Sequence, residues 1–99
     1  MFSSMSMPEF YQKTKRESLN IIDVREKEEY DYGHVPTAVN LPLSELAESY
    51  PILEKDQEYF LICQTGSRSA TACQFLGNKG YKVINVMGGT SAWMGQLEG

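Results

Sequence analysis

Apolar positions along this 99-residue chain fall into short blocks with two rhythms. Tyr59-Phe60-Leu61-Ile62 is a bulky run without alternation, which predicts a strand buried on both faces. Leu19 to Val24 reads the same way and leads into Asp23-Val24-Arg25. Ala38 to Leu41 is a third short strand, stopped by Pro42, and Lys82 to Val86 is the last. Helical signals lie between them. Ser6-Met7-Pro8-Glu9 has capping-box spacing with an early proline, so a helix runs to about Lys15 with Met7, Phe10 and Tyr11 inward. Lys27 to Tyr32 reads as a short charged helix with a solvated face, stopped by Gly33. Ser44 to Ser49 gives one or two turns. In a helix from Ser69 to Lys79, the residues Ser69, Ala72, Cys73 and Leu76 share one face, and Gly80 ends it. Ile52-Leu53 is a small apolar anchor and Trp93 a core plug.

Strands that alternate with helices predict a parallel α/β sheet. The length suits one domain, residues 1–99, with a modest core. Thirteen acidic against nine basic residues give a formal charge of −4. That argues against a general binder of nucleic acid or anionic membrane, while leaving room for a local positive pocket. No apolar run approaches membrane-spanning length. Met1-Phe2-Ser3-Ser4-Met5 lacks the basic and apolar regions of a secretory signal. Two cysteines imply no disulfide scaffold, and the expected compartment is a reducing cytoplasm.

The candidate chemistry sits at the end of the Tyr59–Ile62 strand, in Cys63-Gln64-Thr65-Gly66-Ser67-Arg68-Ser69. Carboxyl ends of parallel strands are where ligands collect. A cysteine attacks only as a thiolate. The N–H groups of the following helix start and an inward-turned loop favour an anion. Gly66 supplies the conformational freedom for such a loop. Arg68 adds a planar donor fork suited to sulfonate, phosphate or carboxylate oxygens. Cys63 is therefore expected to have a lowered pKa and to face an anionic substrate.

Cys63-x-x-Gly66-x-Arg68-Ser69 resembles the active-site loop of the rhodanese sulfurtransferases. The resemblance extends to Ile22-Asp23-Val24-Arg25-Glu26, to Gly33-His34-Val35 with Ala38-Val39-Asn40-Leu41-Pro42, and to Val86-Met87-Gly88-Gly89 with Ala92-Trp93. The four blocks stand in the family's order and cover about Ile21 to Trp93. The resemblance implies a small parallel sheet flanked by helices on both faces, with five strands if Ser4 to Ser6 forms one. It implies Cys63 as nucleophile and Arg68 as the group that holds the donor's oxygens. Backbone N–H groups from Gln64 through Ser69 would stabilise a persulfide, with the hydroxyls of Thr65 and Ser67 as further donors. The reaction would move a sulfane sulfur from thiosulfate or another persulfide to a thiol, a protein persulfide acceptor or cyanide, without cofactor or metal. Two positions depart from the pattern. Pro36-Thr37 stands where the family often has a glycine before the alanine, so the local turn should differ. Gln64, Thr65 and Ser67 are uncharged, which favours a persulfide donor over rapid thiosulfate turnover.

Phosphatase or arsenate reductase chemistry also uses a cysteine and arginine around an anion loop. Cysteine phosphatases typically have five residues between the two, whereas four separate Cys63 from Arg68. A carrier or partner-binding module is the third reading, and the presence of both Cys63 and Arg68 argues against an inactive one. Three residues have simpler roles. Arg25 reads as a structural ion pair or cap among Asp23, Glu26, Glu28 and Glu29, with a second anion site as the alternative. His34 reads as a structural hydrogen-bonding group, and no familiar metal-ligand spacing occurs. Cys73 reads as a core residue, with a resolving thiol as the sharper alternative.

Overall fold

Residues 2–99 are described by a computed structural model. Five strands form one parallel sheet: β1 (Ser3–Met5), β2 (Asn20–Asp23), β3 (Val39–Asn40), β4 (Glu58–Ile62) and β5 (Lys82–Val86), in the order β1-β5-β4-β2-β3. The helices are α1 (Met7–Arg16), α2 (Lys27–Tyr32), α3 (Leu46–Ser49) and α4 (Ser67–Asn78). β4 lies in the middle, which explains its unbroken apolar run. Successive side chains point to opposite faces and both faces are covered. On one face Ile22, Leu61 and Cys63 pack with Leu46 of α3 and with Ala72, Cys73 and Leu76 of α4. On the other, Ile21, Phe60, Ile62 and Val86 pack with Met7 and Phe10 of α1, and Tyr30 of α2 lies at the margin.

Register brings the site together. Asp23 pairs with Ile62 across β2 and β4, and Leu61 pairs with Asn85 across β4 and β5. The chain therefore leaves β2 at Val24, just before Arg25, β4 at Cys63 and β5 at Met87 along one sheet edge. Among the described residues no helix is long and apolar enough to cross a membrane.

Several expectations shift in detail. β1 is Ser3–Met5, because Ser6 is the N-cap of α1 and its hydroxyl accepts from Glu9 N at 3.3 Å. α4 starts at Ser67 rather than Ser69, since Gly66 adopts φ 111° and the helix follows at once. Arg68 thus belongs to the first helical turn. Gly33 does end α2, but in extended conformation. Tyr11 and Trp93 are only half-buried, packed edge-on at 5.0 Å between ring centres. Leu53 is buried as expected, while Ile52 is exposed. At the departure noted above, Thr37 takes φ 71°, the one non-glycine positive φ among the described residues.

Candidate active site

β4 delivers Cys63 to the sheet edge, and the chain curls back over its sulfur. Gly66 N donates to Cys63 Sγ at 3.1 Å, and Ser69 Oγ lies 3.3 Å from it. The residue is only 1% exposed, so the sulfur forms the floor of the loop and a substrate must present a slender terminal atom.

The loop is held from behind by the segment after β5. Thr90 N donates to Cys63 O at 2.7 Å, and Ser91 N to Gln64 O at 3.0 Å. This approach requires Gly89, with φ 62° and ψ −160°, where a Cβ would stand 2.4 Å from Cys63 O. The tight Gly88-Gly89 connection is therefore part of the site's frame. From the side, Ser69 Oγ donates to Asn85 Oδ1 at 2.5 Å, and Asn85 Nδ2 donates to Gly66 O at 3.3 Å.

These contacts set the thiol's acidity. Burial, the largest influence, raises the Cys63 pKa. The Ser69 hydroxyl and the N–H groups of Ser69, Gly66 and Thr65 outweigh it together, leaving the pKa below the ordinary thiol value. Cys73 has no such donors. Burial, with a smaller contribution from Cys63, pushes its thiol up to about 12.

Of the two arginines, Arg25 takes the expected structural pairing and Arg68 departs from its expected place. Arg25 is buried and its Nε and Nη2 reach Asp23 at 3.0 and 2.8 Å. Its Nη2 also donates to Gly33 O at 2.7 Å, and its Nη1 to Gln64 Oε1 at 3.2 Å. Asp23 is thus the partner of this structural pair, and the nearby glutamates are not. Arg68 turns to Glu29 of α2, with Nη1 and Nη2 at 2.7 and 2.8 Å from the two carboxylate oxygens. The face of α2 is accordingly not merely solvated. Arg68 first, opposed by burial, holds the Glu29 carboxyl down at about 2. Gln64, Thr65 and Ser67 are exposed around the mouth, and Ser69 is buried beneath it. His34 lies outside this network, with Nδ1 2.8 Å from Tyr30 O and its ring stacked on Tyr30 at 3.8 Å.

Asn85 braces the loop and Glu29 holds Arg68 beside it; sequence reasoning passed over Asn85 and weighed Glu29 only as a partner of Arg25. Asn85 had a signal, as the one polar residue inside Val83-Ile84-Asn85-Val86. The pairing of Glu29 with Arg68 had none, since Glu29 is one of several acidic residues and 39 positions away. A concavity of about 530 Å³ is lined by residues including Tyr11, Thr14, Leu19, Thr37, Trp93 and Leu97. Neither cysteine lines it, so the Cys63 loop is the better candidate.

A family model, the Rhodanese-like domain, matches residues 6–96. The chain belongs to the rhodanese family. It is 44% identical over 82 residues to YtwF of Bacillus subtilis (strain 168), provisionally named a sulfurtransferase, covering 83% of this chain and 80% of that protein. It is 42% identical over 96 residues to YrkF of the same organism, provisionally named a sulfur carrier protein. That match covers 95% of this chain but spans about half, 52%, of YrkF. A solved rhodanese-related protein from Thermoplasma volcanium superposes with a TM-score of 0.86 at 36% identity, covering 94% of this chain and 91% of the other. Family and names support a sulfurtransferase-type function for this rhodanese domain.

Proposed function

We propose that the chain, acting as one domain, transfers sulfane sulfur through a persulfide on Cys63. The Cys63 thiolate attacks the outer sulfur of a donor. The donor's S–S bond breaks, its leaving group departs with the electron pair, and Cys63–S–S⁻ remains. An acceptor thiol, a protein partner or cyanide then takes the outer sulfur and restores the thiolate. Sulfur and electron pairs pass only between donor, Cys63 and acceptor, so the balance closes without a cofactor. A reducing compartment such as the cytoplasm suits a free reactive thiol.

The observation that carries this reading is the environment of Cys63 Sγ: a buried sulfur that accepts from Gly66 N at 3.1 Å and meets the Ser69 hydroxyl at 3.3 Å. Donors fixed before the reaction stabilise a sulfur anion without reorganising. The roles follow. Cys63 is the nucleophile, and the N–H groups of Gln64, Thr65, Gly66, Ser67 and Ser69 form the cradle for the outer sulfur. Arg68 stands at the rim with its guanidinium paired to Glu29. Phosphoryl transfer is less well supported, because Arg68 is engaged by Glu29 and the loop is one residue shorter than the phosphatase pattern.

Two-substrate kinetics test the proposal. Parallel double-reciprocal lines with a persulfide or thiosulfate donor and a thiol or cyanide acceptor are expected, as for a covalent intermediate. Intersecting lines, or Cys63-dependent hydrolysis of p-nitrophenyl phosphate without sulfur transfer, would overturn it.

A further inference from the structure

The two guanidinium groups beside the Cys63 loop are each matched by a carboxylate. Arg25 is clamped on Asp23, which is fully buried, and its remaining nitrogen donates to Gln64. Arg68 is held as a two-pronged fork by Glu29. Gln64, Thr65, Gly66 and Ser67 add no charge. Around the sulfur these four charged groups sum to zero, and the anion-stabilising contacts at Sγ come from N–H and O–H dipoles. Such a site suits a single developing charge on sulfur. It offers little to a dianion whose oxygens seek a cation.

Glu29 is well placed to keep the site this way. It occupies the first turn of α2, where its Oε2 also accepts from Glu26 N at 3.1 Å, so its carboxylate is anchored from its own helix. Two parallel bonds to a guanidinium fix direction as well as distance. The carboxyl, held down at about 2, stays ionised across the working pH range, so proton uptake does not free Arg68.

We propose that Glu29 is the specificity-determining residue for the sulfur donor. By occupying the Arg68 fork it disfavours dianionic oxyanion donors such as thiosulfate and leaves the site to persulfides, whose leaving group is a thiolate. This rests on the persulfide chemistry proposed for Cys63 and names its donor class. The preferred step is R–S–S⁻ plus Cys63–S⁻ giving R–S⁻ plus Cys63–S–S⁻. The donor S–S bond breaks, the new bond forms at Sγ, and charge and sulfur balance with no further oxidant or reductant. A monoanion approaching the thiolate also meets half the repulsion a dianion does.

The test measures loading of Cys63 by intact mass in the full chain, against concentration of thiosulfate and of 2-mercaptoethanol persulfide, whose organic part is uncharged. Glu29→Gln keeps a side-chain oxygen for Glu26 N and removes the carboxylate charge. The variant is expected to lower the thiosulfate concentration for half-maximal loading roughly five-fold, the scale of an ion pair this exposed. For the persulfide it should stay within about two-fold. Adding Arg68→Gln should erase the gain, and Glu29→Ala should reproduce it if the glutamine itself binds Arg68. Unchanged thiosulfate dependence in both Glu29 variants, while the persulfide still loads Cys63, would overturn the role of Glu29 alone. An equal change for both donors would overturn it too. Failure of both donors to load the unaltered protein would overturn the sulfur-transfer reading, and this inference with it.

Discussion

The hydroxyl of Ser69 lies 3.3 Å from the sulfur of Cys63 and 2.5 Å from Asn85 Oδ1. It also lies 3.2 Å from Gly66 O, so it has one proton for three acceptors. Asn85 Nδ2 donates to Gly66 O, which orients the amide so that its oxygen faces Ser69. The thiol can donate into the serine oxygen, and the thiolate can receive the serine proton instead. Ser69→Ala removes this partner and leaves only N–H donors. Hydrogen bonds to charged groups are among the stronger ones. Ser69→Ala should therefore move the pH profile of Cys63 alkylation upward and slow iodoacetamide labelling at neutral pH roughly three- to ten-fold. An unchanged profile would remove Ser69 from the thiolate's support.

The two cysteines should separate by pH. Cys63 has a lowered pKa, and Cys73 is pushed up to about 12. The folded Cys73 retains a proton that the unfolded chain loses above about 9, the reference value for a thiol. Its contribution to stability is present below that pH and is lost as pH climbs from 9 toward 12. For Cys63 the sign reverses, with stability gained as pH rises through its folded value toward 9. Iodoacetamide at pH 8 should add one label to the native protein, on Cys63, and two after denaturation. Labelling of both in the native state would contradict the assignment of Cys73 to the core.

Gly89 is the point where the segment after β5 touches the Cys63 loop. A Cβ there would stand 2.4 Å from Cys63 O and 2.6 Å from Gln64 O, on a backbone with positive φ. Gly89→Ala must displace the loop or the segment behind it. A loss of about 3 kcal/mol is expected, of the order that overpacking and backbone strain together produce. Loading of Cys63 should slow at least roughly ten-fold, because the Gly66 and Ser69 donors shift with the loop. Thermal denaturation and the loading rate measure the two effects separately.

Thr37 is exposed and β-branched, yet holds φ 71°. Such a conformation suits glycine. Thr37→Gly should relieve this strain, less what glycine loses in chain entropy. The net gain is about 1 kcal/mol, or a rise of roughly 4–8 °C in Tm for a domain this small. Sulfur transfer should not change, since Thr37 lies away from Cys63. A lower Tm would show that the surrounding turn, rather than Thr37, sets the conformation.

Most of this architecture was legible from local patterns. The runs at Leu19–Val24 and Tyr59–Ile62 announce buried parallel strands because both faces of the sheet are covered. The stripe Ser69, Ala72, Cys73 and Leu76 is the buried face of α4. Cys63 and Gly66 could be placed because strand end, glycine and helix start adjoin in the chain. The direction of Arg68 could not. Its partner Glu29 belongs to another helix, and only the register of β2 beside β4 brings them together. The start of α4 at Ser67 was hidden for a related reason: the positive φ of Gly66 lets the helix begin at once, which carries Arg68 onto the helix. Asn85 was visible as a polar break in an apolar strand, but its bonds to Ser69 and Gly66 depend on β5 lying next to β4.

The most direct measurement is intact-mass spectrometry of the reduced protein after incubation with thiosulfate or with 2-mercaptoethanol persulfide, beside a Cys63→Ser control. Gain of one sulfur atom, reversed by cyanide and absent in the control, is the predicted result. No gain from either donor would contradict persulfide chemistry at Cys63.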